Sequence, residues 1–330
     1  MRAVTYDRFG GAADVLTSGS LDSTPPGPGE VSVALKYSGV NPSDVKARAG
    51  SRPGVTTPPF PQIIPHSDGT GEVTAVGNGV DPGRIGQKVW IWNGQWQRAH
   101  GTAAETITLP AEQAVAMPAQ MTWEQGAVMG IPGLTAAQVV FGGGSVEGKT
   151  LLIQGGAGTV GYLAVQLARW GGAHVIATAR GAGAERCRDA GAHAVIDYSA
   201  ADAAAQIHDA NDGRGVDRIV EVEFGANIGI SAEVIAPNGT IAVYGSALNM
   251  TPEIPFGPLL FKAVKVDISL IYILPAAERA ECISSLHRCV ADDALHCPTD
   301  KIFPLEETAK AHEAVEGGAR AGSVLIDVTA

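Results

Sequence analysis

Leu151-Leu152-Ile153-Gln154-Gly155-Gly156-Ala157-Gly158-Thr159-Val160-Gly161 is the stretch on which the fold turns. Its second half, Gly156 to Gly161, is a Gly-x-Gly-x-x-Gly run that follows an aliphatic run of strand character. Beyond it Val160, Leu163, Ala164, Leu167 and Ala168 fall at i, i+3, i+4, i+7 and i+8, the apolar face of a helix. The next aliphatic run, His174-Val175-Ile176-Ala177-Thr178, returns at the spacing of a strand–helix–strand unit. A pyrophosphate approaching a helix N-terminus meets unpaired N–H groups and the positive end of the helix dipole, and a Cβ would keep it away. Glycine is abundant throughout, 42 of 330 residues, so the run carries weight through its context. The expectation is a dinucleotide site at Gly156, Gly158, Thr159, Val160 and Gly161.

A site for NAD offers an acidic side chain about 20 residues further on, at the end of the second strand, to hold the ribose hydroxyls. Here that strand ends in Ala179-Arg180. A guanidinium suits a 2′-phosphate, which a carboxylate would repel, so the expected cofactor is NADPH, with Arg180 on the phosphate.

Working outward, unbroken aliphatic runs at 151–154, 173–179, 194–198, 218–222 and 240–244 read as parallel strands covered on both faces. Up to about residue 120 the pattern is different. Short strands at 31–37, 71–76, 88–92 and 104–109, punctuated by Gly and Pro, describe a β-rich domain. Thr122-Trp123-Glu124-Gln125 has the form of a capping box opening the apolar stretch Ala127 to Phe141, which Pro132 interrupts, and a domain boundary is expected there. After about residue 260 a mixed segment holds a helix at 276–291 and a last strand at 324–328. The expected division is 1–122, 123–262 and 263–330, with the two ends of the chain in one domain.

A chain with 45% hydrophobic and 17% charged residues buries a substantial core, which excludes global disorder. The formal charge of −11, with no run of Lys and Arg, argues against a nucleic-acid partner. Met1 to Leu16 carries Arg2, Asp7, Arg8 and Asp14, and the most apolar segment, Leu259 to Leu274, is broken by Lys262, Lys265 and Asp267. No leader and no membrane partner are expected, and the location is read as cytoplasmic. The four cysteines form no Cys-x-x-Cys pair, and Cys282 and Cys289 share one helix face as reduced thiols.

Four motifs together carry a resemblance: Gly39-Val40-Asn41-Pro42-Ser43-Asp44, Ile64-Pro65-His66-Ser67-Asp68-Gly69, Gly155 to Gly161, and Gly322-Ser323-Val324-Leu325-Ile326. The chain resembles, over essentially its whole length, the zinc-free quinone oxidoreductases of the medium-chain dehydrogenase/reductase superfamily. The resemblance implies an α/β protein with a GroES-like β-rich catalytic domain, a Rossmann doubly wound parallel-sheet domain and an active-site cleft at their junction. Zinc-dependent members place a metal-binding Cys where this chain has Asn41, and a four-cysteine lobe where Trp92 to Ala104 has none. The resemblance therefore implies that both zinc sites are lost. It also places Tyr198 near the adenosine phosphate, Gly245-Ser246 on the loop passing the nicotinamide, Thr135 by the nicotinamide ribose and Arg320 near the 2′-phosphate. Some members have a tyrosine where Lys46 stands.

Asn41, Asp44 and Lys46 are the candidate catalytic residues, and each has a plainer reading. Asn41 at N-cap, Pro42 at N1 and Asp44 at N3 make a good helix start without any chemistry. In the sharper reading the Asn41 amide also bonds a substrate or ribose oxygen, and Lys46 either stabilises an oxyanion or is solvated. His66 and Asp68 are read as loop contacts, and Trp90, Trp92 and Trp96 as packing around an Asn93-Gly94 hairpin. The expected activity is NADPH-dependent reduction of a quinone or similar small conjugated acceptor by a homodimer. The alternatives are an enone or enoyl double-bond reductase, and a NADPH-binding protein with little turnover.

Overall fold

The computed structural model describes residues 1–51, 54–318 and 320–330. It divides into two units, Pro132–His296 and Met1–Ile131 with Cys297–Ala330.

Pro132–His296 is built on six parallel strands in the order Ala194–Ile196, His174–Thr178, Thr150–Ile153, Val216–Glu221, Ile235–Val243 and Lys265–Ile268. The aliphatic runs make this possible, because Leu151, Leu152 and Ile153 are wholly buried, as a strand covered on both faces requires. The helix Thr159–Trp170 buries Leu163, Ala164, Leu167 and Ala168 of the face its periodicity marks, leaves Val160 of that face half-buried, and also buries Tyr162, Val165 and Gln166. Strand order reverses between Thr150–Ile153 and Val216–Glu221, so the glycine loop after Ile153 stands at the topological switch point, where doubly wound sheets bind ligands.

Lys265–Ile268 pairs in register with Thr240–Val243, so the parallel sheet extends beyond the boundary expected at residue 262. The unit continues through the helix Ala276–Ala291, which packs on Leu134–Phe141, to His296. The sixth strand carries no clear signal in the sequence because Lys265 and Asp267 interrupt its apolar run, as charges on an edge strand commonly do. The other boundary falls between Ile131 and Pro132, within the π-helical turn Met129–Gly133. It lies downstream of the Thr122 capping box, in which Thr122 Oγ1 accepts from Gln125 N at 3.2 Å and Thr122 N donates to Gln125 Oε1 at 2.9 Å.

In the other unit the long strand Glu30–Val40 is flanked by Asp68–Val76, Thr106–Pro110 and Ser323–Asp327. Both ends of the chain thus share this unit. Val31, Val33 and Leu35 alternate into its core, each contributing about 1.5–3 kcal/mol by burial. The alternation stops at Ser38, from which residues 38–41 are all buried, polar side chains included. Asn93-Gly94 is not a two-strand hairpin. Asn93 takes φ 53°, and Gly94 N donates to Ser67 O at 2.8 Å, so the turn packs on the His66 loop instead.

Candidate functional site

Gly156 and Gly161 are required by packing. A Cβ on Gly161 would stand 2.3 Å from Gly155 O, and one on Gly156 would stand 2.9 Å from Cys187 Sγ and 3.0 Å from Ala177 Cβ. Gly158 differs, because a Cβ there meets nothing among the described residues nearer than Gly155 O at 3.5 Å. The loop is therefore closed on its protein side and open at Gly158, a cradle with room for a pyrophosphate. Thr159, Val160 and Gly161 follow as the first helical turn, whose amides have no acceptor within the helix. Burial pushes the Cys187 thiol up to about 11, so it is packing rather than a nucleophile.

Three contacts stiffen the loop from beneath. Thr178 Oγ1 accepts from Gly155 N at 3.0 Å and donates to Gln154 Oε1 at 2.7 Å. Arg186 Nε donates to Ala157 O at 3.2 Å, with its guanidinium 4.9 Å from the Tyr162 ring centroid. Neither Thr178 nor Arg186 was among the expected site residues. Arg186 had a positional signal, as a cation in the helix Gly183–Asp189 that follows the second strand.

Arg180 and Tyr198 come together. The guanidinium carbon lies 5.7 Å from the ring centroid, and both side chains are exposed at the C-terminal ends of neighbouring strands. Asp197 lies beside them, held below the usual carboxylate range by hydrogen bonds from Ser199 and by the Arg180 charge. Gly245 and Ser246 are held by the turn opposite: Phe224 N donates to Gly245 O at 3.0 Å and Gly225 N to Ser246 Oγ at 2.9 Å. Glu223 accepts from the amides of Ala247 and Leu248 at 2.8 and 2.7 Å and latches the same loop. Thr135 is buried near the start of the helix Leu134–Phe141. Arg320 belongs to the other unit, where it is half-buried near Asp300.

In that unit Asn41 caps Pro42–Ala49, and its backbone N–H donates to Asp44 Oδ2 at 2.8 Å. Its side-chain Nδ2 donates to Asp68 Oδ2 at 2.8 Å. Asp68 is fully buried, and Ile131 N donates to both its oxygens at 2.8 and 2.9 Å. Burial and the Asp44 charge raise the Asp68 carboxyl well above the usual range, against the donors from Ile131 and Asn41. The Asp68 carbonyl accepts from Thr102 Oγ1 at 2.6 Å; Thr102 meets Ser38 Oγ at 2.7 Å, Ser38 meets His66 Nδ1 at 2.8 Å, and His66 Nε2 meets His312 Nε2 at 2.8 Å. Lys46 is exposed.

A zinc ion does not fit these donors. Both Asp68 oxygens and both His66 nitrogens are engaged within the protein, and Asn41 turns a donor rather than a lone pair toward Asp68. Among the described residues no three His, Cys, Asp or Glu side chains converge as ligands.

Residues 27–119 match the family model for the alcohol dehydrogenase GroES-like domain, and residues 159–286 match that for zinc-binding dehydrogenase. The chain belongs to the medium-chain dehydrogenase/reductases, whose two domain types these models describe. This is an oxidoreductase family with a GroES-like and a Rossmann domain. The chain is 31% identical over 256 residues to the human synaptic vesicle membrane protein VAT-1 homolog, covering 76% of this chain and 62% of the relative. It thus spans less than two thirds of that relative's length. It is 28% identical over 338 residues to the chloroplastic quinone-oxidoreductase homolog of Spinacia oleracea, covering 99% and 98% of the two chains. It is also 29% identical over 314 residues to a 2-haloacrylate reductase of a Burkholderia species, covering 91% of each. Among solved structures, mycobacterial Rv1454c complexed with NADPH superposes with TM-score 0.85 at 27% identity over 99% of both chains. An NAD-dependent alcohol dehydrogenase superposes with TM-score 0.87 at 28% identity, over 99% of this chain and 100% of its own.

Proposed function

We propose that this protein is a NADPH-dependent, zinc-independent reductase that transfers hydride from the nicotinamide to a quinone or similar conjugated acceptor. The observation that carries the reading is the open glycine cradle together with Arg180 over Tyr198 at the adjoining strand ends, where a 2′-phosphate meets a cation directly after the second strand, with Asp197 lying at the end of the neighbouring strand. The cofactor, when bound, supplies the hydride. The cradle residues Gly156, Gly158, Thr159, Val160 and Gly161 hold its pyrophosphate, and Arg180 takes the 2′-phosphate. Gly245 and Ser246, latched by Glu223, form the loop beside the nicotinamide, with Thr135 at its ribose and Arg320 as a further cation for the phosphate.

Reduction of a conjugated carbonyl places charge on oxygen, and Asn41 is the donor proposed for it, with Asp44 securing its backbone. Lys46, exposed as it is, serves as a secondary cation at most. The likeness to NADPH-bound Rv1454c supports the phosphate preference, and the NAD-dependent alcohol dehydrogenase of similar fold makes it worth testing. Titration with NADPH and NADH by fluorescence is the test: at least tenfold tighter NADPH supports the assignment, and equal affinity contradicts it. A second reading, reduction of an activated carbon–carbon double bond, is favoured by the 2-haloacrylate reductase relative and needs the same cofactor.

We also propose a cytosolic homodimer. Lys265–Ile268 leaves one strand edge of the parallel sheet unpaired, and exposed Phe261, Ile268 and Ile273 lie along that segment. Among the described residues no helix is long and apolar enough to cross a membrane.

A further inference from the structure

The direction of every hydrogen bond in the buried chain below Asn41 follows from its one end that can only accept. The Asp68 carbonyl takes the Thr102 hydroxyl proton, so Thr102 must accept from Ser38, and Ser38 from His66 Nδ1–H. His66 Nε2 is then a lone pair and accepts from His312 Nε2–H. Both imidazoles are buried and stack with centroids 5.0 Å apart, and burial holds both neutral, as this single-proton pattern needs. Four side chains thus lock the Asp68 backbone in one place.

The carboxylate of Asp68 is equally fixed. Ile131 N bridges its two oxygens, and the space around it is cleared by glycines: a Cβ on Gly130 would lie 2.1 Å from Asp68 Oδ1, and one on Gly39 would lie 3.2 Å from Asp68 Cβ. An amide side chain has two flips that differ only in which of N and O faces a partner. Both Asp68 oxygens accept from Ile131 N and Oδ2 also accepts from Asn41 Nδ2, so while Asp68 is ionised, turning Asn41 Oδ1 toward it would set acceptor against acceptor. Asn41 gives its backbone N–H to Asp44 and one side-chain N–H to Asp68, which leaves one side-chain N–H to present.

We infer that Asp68 is the positioning residue for Asn41, its carboxylate selecting the amide flip and so aiming the remaining N–H at the acceptor oxygen. The inference rests on the reading of Asn41 as the oxyanion donor. It assigns Asp68 no contact with substrate, and it gives the His312–His66–Ser38–Thr102 chain the task of holding Asp68 still.

Asp68→Asn in the full chain is the test, read in two ways. In a proton–nitrogen correlation spectrum the Asn41 side-chain N–H pair, assigned by its disappearance in Asn41→Asp, is expected to exchange slowly in the wild type. In Asp68→Asn its exchange is expected to quicken by roughly tenfold or more, the scale of one lost charge-assisted bond. With a reducible acceptor, kcat should fall by a similar factor while KM for NADPH is unchanged, because the donor acts on charge that develops in the transition state. Thr102→Val, which frees only the Asp68 main chain, should shift both readings in the same direction by less, and it decides the matter if Asp68→Asn fails to fold. Unchanged Asn41 exchange in a folded variant overturns the inference. If the wild type reduces no acceptor, the proposed function fails, and the exchange measurement still decides whether Asp68 positions Asn41.

Discussion

Gly158 is the residue whose substitution speaks most cleanly about the cofactor. A side chain at Gly161 or Gly156 would collide with the protein itself, so loss of binding there would not separate a damaged fold from a blocked ligand. At Gly158 a Cβ meets, among the described residues, only Gly155 O at the ordinary contact distance of 3.5 Å, so a side chain there chiefly obstructs what comes from outside. Gly158→Val is therefore expected to retain the wild-type circular dichroism and melting profile while losing NADPH and NADH alike in a binding titration; retained binding would contradict the cradle. Arg180→Ala separates the two cofactors. Removing a charge-assisted contact should weaken NADPH by about 1.5–3 kcal/mol, roughly 10- to 100-fold, and leave NADH nearly unaffected. Equal losses would place Arg180 elsewhere. Glycine spacing made this half of the site legible, since strand, loop and helix are contiguous in sequence and the chemistry needs only their order.

The other half of the site is long-range, so the motifs around Asn41 and His66 name its residues without showing that they pair. Asn41 and Asp68 are 27 residues apart, Asp68 and Thr102 34, Ser38 and His66 28, and His66 and His312 246. Asp68 and His66 read from sequence as loop contacts, yet only the pairing of Glu30–Val40 with Asp68–Val76 brings Gly39 opposite Asp68 and the loop against Asn41. The strand 265–268 was missed for a different reason, its charges masking an edge strand, whereas the helix 276–291 was visible because a full amphipathic period survives in it. The buried histidines give this element a pH signature. Burial, with the Arg48 charge beside it, brings the His312 imidazole from 6.5 down to about 3, and His66 is likewise lowered. A depressed imidazole gains a proton when the chain unfolds, so the stability it contributes is present above pH 6.5 and is lost as pH falls toward about 3. Denaturant midpoints across that range should decline steeply for the wild type and less steeply for His312→Asn, and parallel curves would contradict the neutral buried pair.

At the scale of the whole molecule, the exposed edge of the parallel sheet predicts self-association. Sedimentation or light scattering should give twice the chain mass, and Ile268→Lys, at a residue 74% exposed, should shift it to one chain mass without lowering the melting temperature. A wild-type protein that stays a single chain at micromolar concentration would contradict the dimer. The family accounts for both domain types, and the matched models divide between the two units much as the chain does. What the family leaves open is the acceptor. The most direct measurement is NADPH oxidation, followed by loss of nicotinamide absorbance, with a benzoquinone, a phenanthrenequinone, an enone and a 2-enoyl thioester offered in parallel and NADH as the control cofactor. The account predicts rapid turnover with NADPH and the quinones and little with NADH. Turnover confined to the enone or the thioester would move the assignment to double-bond reduction, and NADPH binding without oxidation by any acceptor would contradict the proposed enzyme.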